Sequence, residues 1–184
     1  MNYNQSNSSP KFIQILNNKT KTVFFSFVII FIICLFGLIT GLLSDFVGTS
    51  IPTDYGVSIT GNVSDVVEAK SCLTVLVNNY QAVNQNNMEK YLLTIVPSKR
   101  QSTKIEIQTF FNNYKLNNSV EQFKILWQNT NNLQVQAAQK SILVTAKDGA
   151  SPYKNHISQI NYDFVKTTNQ WYIDSSVLVD NYFI

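Results

Sequence analysis

The order of apolar and polar positions divides the chain into four stretches. Residues 1–21 are polar, rich in Asn and Ser, and carry no hydrophobic period, which predicts a short tail without a core of its own. Thr22 to Leu43 is apolar but for Thr22, Ser26 and Thr40, and has neither a charge nor a proline. About 20 such residues, rising about 1.5 Å each, match a hydrocarbon layer of about 30 Å. A helix satisfies its own backbone groups, as lipid requires, so 22–43 is expected to be a transmembrane helix. A cleaved signal peptide has a shorter apolar stretch and ends in a small-residue site, which SDFVGTSIP does not supply. Residues 44–64, with Gly48, Pro52, Gly56 and Gly61, read as a linker. A folded domain is expected over 65–184, roughly 120 residues and enough for one core.

Within that domain a helical period comes first. Asp65, with Glu68 three residues on, resembles an N-terminal capping pair. Ala69, Cys72, Leu73, Leu76, Tyr80 and Val83 follow at the spacing of one helix face, predicting a helix over about 65–84. Asn86 or Asn87 caps a short second helix carrying Met88, Tyr91, Leu92 and Ile95, which Pro97 closes. A third helix is expected from about Thr103 to Tyr114, with Ile107, Phe110, Phe111 and Tyr114 on one side.

After Leu116 the period shortens to two, the signature of strands. Phe123, Ile125 and Trp127 alternate with polar positions. Leu133, Val135 and Ala137 do the same, and the phase then slips to Ile142, Val144 and Ala146, which predicts a bulge in that strand. Ile160, Tyr162 and Phe164 mark a third strand. Trp171, Ile173, Val177 and Val179 are expected to point inward from a fourth. Helices grouped before antiparallel strands predict an α+β layer, three helices packed on a curved four-stranded sheet.

Charge and chemistry narrow the function. The net charge of +3 with 14% charged residues lacks the concentrated basic face of a nucleic-acid binder. Lys11, Lys19 and Lys21 precede the apolar run and no basic residue follows it before Lys70. That asymmetry places the N-terminus in the cytoplasm and the domain outside, in a single-pass cell-membrane protein with the bilayer as its partner. Gly37 and Gly41 form the G-x-x-x-G spacing that lets two such helices pack.

Cys34 and Cys72 fall on opposite sides of the membrane boundary, which argues against a disulfide. Cys72 reads as a small buried apolar residue. No metal-ligand spacing, phosphate loop or nucleophile elbow occurs, so no metal, cofactor or catalytic residue is assigned. Asp163 and Asp174 alternate out of phase with the apolar positions and are expected to face solvent or the far side of the sheet. Lys99, Arg100 and Lys104 read as a solvated basic face, with a lipid-headgroup contact as the sharper reading.

Helices followed by curved strands, carried by YQAVNQNNMEKYLLTIVP, by FFNNYKL before EQFKILW, and by the closing hairpin HISQINYDFVKTTNQWYIDSSVL, resemble the NTF2-like (SnoaL-like, cystatin-cone) superfamily. Tyr80, Ala82, Asn84, Met88, Tyr91 and Trp171 fill places comparable to that pattern. Asn87 departs from it where an acidic residue is common, and Asn169–Gln170 where Gly is common. The resemblance implies a cone whose mouth is a pocket, with His156, Tyr162, Phe164, Trp171, Tyr80 and Tyr91 as cavity candidates. His156 would be a base or ligand contact, or a rim histidine bonded locally. The superfamily holds enzymes and binders alike.

Tail, anchor and external domain together share the layout of VirB8-type envelope components. The first expectation is therefore a non-enzymatic module for protein–protein interaction in a cell-envelope assembly, as a homodimer or with an envelope partner. A small apolar ligand binder or sensor using the cone is the alternative, and an NTF2-like enzyme the second. The apolar end VDNYFI is expected to extend an edge strand or dock on a neighbour.

Overall fold

A computed structural model describes residues 50–184. The expected tail, the membrane segment 22–43 with Gly37 and Gly41, and Cys34 lie outside the described residues. Within them, no helix is long and apolar enough to cross a membrane.

The first helix, α1, runs Val66–Asn84. Asp65 caps it as expected, its Oδ1 accepting from the backbone N–H groups of Val67 (2.9 Å) and Glu68 (3.1 Å). The reciprocal half of the expected pair is missing, because the Glu68 carboxylate turns away to Lys166 and Trp171. Gln128 Oε1 accepts from the Asp65 N–H instead. Ala69, Cys72, Leu73, Leu76 and Tyr80 form the buried stripe. Cys72 is wholly buried and its thiol is pushed up by desolvation, so it stays protonated and inert.

A second helix, α2, spans Met88–Leu93 and is capped by Asn87. A 3-10 turn, Pro97–Lys99, leads into α3, Arg100–Asn113. This helix starts earlier than its apolar period shows, because its first turn is exposed and polar.

The sheet has five strands, not four, and it is mixed. They are β1 Ile59–Gly61, β2 Tyr114–Gln128, β3 Asn132–Ala146, β4 His156–Thr167 and β5 Gln170–Phe183, in that spatial order. The last four form an antiparallel meander, whereas β1 lies parallel to β2, with Ile59 beside Phe123. The additional strand comes from the segment expected to be linker. Ile51 bridges back to Ile59 by two backbone hydrogen bonds of 2.8 and 2.9 Å, and Val57 and Ile59 join the core. Three residues are too few to show an alternating pattern, which is why the strand was not legible.

Curvature comes from bulges. In the β2–β3 ladder the register shifts at Glu121 and Leu126 on β2 and at Val144 on β3. In the β4–β5 ladder it shifts at Asp174 and Val179 on β5. Each additional residue kinks its strand and increases the twist. The bulge expected between Ala137 and Ile142 is absent, since residues 132–141 run in unbroken register with β4. The apparent slip has another cause. The concave face continues through Gln139 and Ser141, which line a cavity, while Ile142 and Val144 belong to the outer face.

The expected inward placement of Val177 and Val179 also fails. Past the bulge at Asp174 both are more than half exposed. Leu73, Leu76, Phe123, Ile125, Leu133, Val135 and Phe164 fill the core between α1 and the sheet, each worth about 1.5–3 kcal/mol of transfer free energy.

Candidate binding cavity

The helices cover one end of the concave face and leave the other open. Between them and the sheet lies a cavity of about 640 Å³, within the range of small-molecule sites. Its helical wall comes from Tyr80, Val83, Tyr91, Ile107 and Phe110, and its sheet wall from Leu116, Asn118, Gln139, Ser141, Ile160 and Tyr162.

At the base, the hydroxyls of Tyr80 and Tyr162 share a hydrogen bond of 2.9 Å. They come from α1 and β4, elements far apart in sequence. Burial pushes both phenols well above their ordinary range, so both remain neutral. Tyr91 is raised for the same reason, and its ring meets Phe111 edge-on at 5.5 Å.

On the sheet side, Asn118 Oδ1 accepts from Ser141 Oγ (2.7 Å) and Gln139 Nε2 (3.3 Å). Asn84 fixes the same strand through both of its amide atoms, bonding the Asn118 backbone N–H (2.6 Å) and carbonyl (2.9 Å). Opposite, Asn79 Nδ2 donates to Thr94 Oγ1 at 2.8 Å. The deep cavity is thus lined by rings, aliphatic groups, neutral hydroxyls and amides. Charged groups sit at its border, where Lys99 pairs with Asp174 at 2.8 Å.

The structure brings together four of the six sequence-derived candidates: Tyr80, Tyr91, Tyr162 and His156. His156 lies among the lining residues. Its Nδ1 is 2.9 Å from the Lys154 carbonyl, which only accepts and so assigns the proton to Nδ1, leaving Nε2 free. Its ring also lies tilted against Tyr153, with 5.4 Å between centroids. Phe164 is buried beneath the cavity, 6.2 Å from the Tyr162 ring, and does not line it.

Trp171 faces a different cleft, with Glu68 and Lys166. There Lys166 Nζ donates to Glu68 Oε1 at 2.6 Å and the Trp171 indole N–H to Oε2. The two hydrogen bonds, Lys166 first, hold the Glu68 carboxyl below its ordinary range.

Of the strand carboxylates, Asp163 lies on the outer face as expected, bonded to Gln134 and Ser175, while Asp174 sits at the cavity border. Lys99 and Lys104 are exposed as expected, Lys99 in an ion pair with Asp174, while Arg100 is half-buried and donates to the carbonyls of Ile95 and Leu93. Among the described residues no group of three or more His, Cys, Asp or Glu side chains is placed to hold a metal. Sequence reasoning missed Asn118, Gln139 and Ser141; the signal was the polar interruption after Ala137.

Residues 74–183 match the family described as the anti-sigma-I factor RsgI9 C-terminal domain. No curated protein matches the chain. Among solved structures, a protein provisionally assigned as an aromatic ring hydroxylase from Novosphingobium aromaticivorans superposes with a TM-score of 0.56 at 10% identity, over 66% of this chain and 96% of that one. A protein of unknown function with a cystatin-like fold from Nostoc punctiforme gives 0.51 at 7% identity, over 62% and 91%. One provisionally assigned as a scytalone dehydratase, also from N. aromaticivorans, gives 0.51 at 13%, over 65% and 89%. At these identities the likeness is one of fold, and the fold is the NTF2-like, cystatin-like cone.

Proposed function

Because the chain belongs to the family of the anti-sigma-I factor RsgI9 C-terminal domain, we propose that its folded domain is a non-catalytic sensing module that takes a small uncharged molecule into the cone. The segment 22–43 would hold it in a membrane with the domain outside the cytoplasm. The observation that carries the reading is the cavity of about 640 Å³ lined, apart from Lys99, Glu106 and Asp174, by neutral donors, acceptors and rings. Such a lining favours a ligand with an apolar face and a few hydroxyl or amide groups. A charged ligand would lose its hydration there without a counter-charge at depth.

The regulatory name of the family supports a receiving role over a chemical one.

The test uses phenol and benzamide as probes on the full chain in lipid nanodiscs, read by saturation-transfer NMR. Val83 and Ile107 line the cavity and are only half-buried, so Val83→Trp and Ile107→Trp fill it without disturbing the Asn118–Ser141 network. Transfer to either probe should appear with the native chain and vanish in the filled variants, with melting temperatures unchanged. Equal transfer in native and filled chains, or none in either, would refute the reading.

A further inference from the structure

Two phenols meet in the cavity and hold two protons between them. Tyr80 and Tyr162 are only 4% and 5% exposed, and their oxygens lie 2.9 Å apart. Whichever ring donates, that contact uses one proton and leaves the other. Neither hydroxyl has a second partner among the described residues. Desolvation keeps both phenols neutral, so the second proton stays in place. A buried donor without an acceptor is costly, and native structures hold few of them.

The surroundings leave one direction for that proton. On the core side both rings join a cluster of apolar side chains, Leu76, Phe123 and Phe164 among them, and carbon accepts nothing. On the other side both rings line the cavity. The polar groups of the sheet wall are engaged with one another. Asn118 Oδ1 takes Ser141 and Gln139, and Gln139 Nε2 also reaches Ser141 Oγ at 2.9 Å.

We propose that the Tyr80–Tyr162 pair is the hydrogen-bond donor of the cone, and that its ligand meets the pair with an uncharged acceptor carrying no proton of its own, a carbonyl oxygen above all. The inference rests on the reading of the cone as a ligand site. It narrows that reading to a molecule whose deepest polar group is a ketone, ester or amide carbonyl. An alcohol or phenol would accept the proton but bring another, which would need an acceptor at the same depth. A carboxylate would lose its hydration there, and Lys99 at the border is already paired with Asp174. The pair also surpasses a lone tyrosine. The phenol that accepts is polarised by the one that donates, which strengthens its own proton as a donor. The rings come from α1 and β4, so the donor is held from both walls.

Benzonitrile and phenylacetylene test this on the full chain in lipid nanodiscs. The two are matched rods that differ at the tip, a nitrogen lone pair against a C–H. The nitrile stretch lies clear of protein absorption and rises in frequency when the nitrogen accepts a hydrogen bond. Infrared spectra of the native chain minus those of Ile107→Trp separate nitrile in the cone from nitrile in lipid, and should show the raised band. The double variant Tyr80→Phe, Tyr162→Phe removes both partners together and leaves no orphan. It should lose the raised band. The ratio of the two dissociation constants, from saturation-transfer titrations, should move about tenfold towards phenylacetylene. Should the double variant fail to fold, the native band decides alone: raised, it upholds the proposal, and unraised, it overturns it. A raised band that survives the double variant, or a ratio that does not move, would also overturn it while leaving the cone a ligand site. Equal transfer to both probes in native and filled chains would overturn the site itself, and the proposal with it.

Discussion

Glu68 shows how far a local pattern reaches. Its spacing from Asp65 predicts a capping partner, yet its carboxylate binds Lys166 and Trp171, 98 and 103 residues away. No local rule sees such partners, and the same blindness put Trp171 in the cone. Tyr80, Tyr91 and Tyr162 were legible, because their places in helix and strand periods aim them at one interior. The Glu68 contact carries a pH dependence. Its carboxyl is depressed in the folded chain, below an ordinary value of 4.5, so the unfolded chain binds the proton more readily. The stabilisation is therefore complete above about pH 4.5 and is lost as pH falls through the depressed value. Thermal melts of Glu68→Gln against the native chain should show a shallower acid limb in the variant. Superimposed limbs would mean the contact is silent. Glu68→Ala leaves the buried indole N–H without its acceptor and should cost about 1 kcal/mol, the low end for such a loss because the carboxylate is partly exposed.

Among elements, the three helices and four long strands were readable from periodicity, and the shortest strand was not. β1 depends on Gly61. This residue has φ +91°, and a Cβ there would lie 2.2 Å from the Ile125 carbonyl oxygen on β2. The left-handed backbone and the close approach both exclude a side chain. Gly61→Ala should lower stability by at least about 1–3 kcal/mol, measured by urea unfolding. The loss should vanish if residues 50–64 contribute nothing to the core. Bulge positions were equally hidden. The chain places them by pairing, so that a change of phase in one strand marks a cavity wall as readily as a kink.

For the molecule as a whole, the α+β class and the cone were legible, since grouped helices followed by alternating strands have few ways to bury both apolar faces. The lining of the cavity was less so, because the amides that line the cone look like ordinary surface residues in a sequence rich in Asn and Gln. The expected membrane anchor is a prediction at this scale. An uncharged run as long as 22–43 should keep the intact chain in the pellet after alkaline carbonate washing, and replacing Ile30 and Leu35 with lysine should release it, each central charge adding about 2.5–3.5 kcal/mol. Native chain in the supernatant would show that no such segment resides in lipid.

The short parallel strand at the sheet border also sets how the domain would answer a mechanical load. A pull applied at residue 50 enters the fold through the Ile51–Ile59 bridge and then through three residues of β1. These few bonds would give way in succession before any meander strand was strained. Yielding would uncover Ile59, which is wholly sequestered at rest, and free the margin of β2, so this seam is the fuse of the fold under tension.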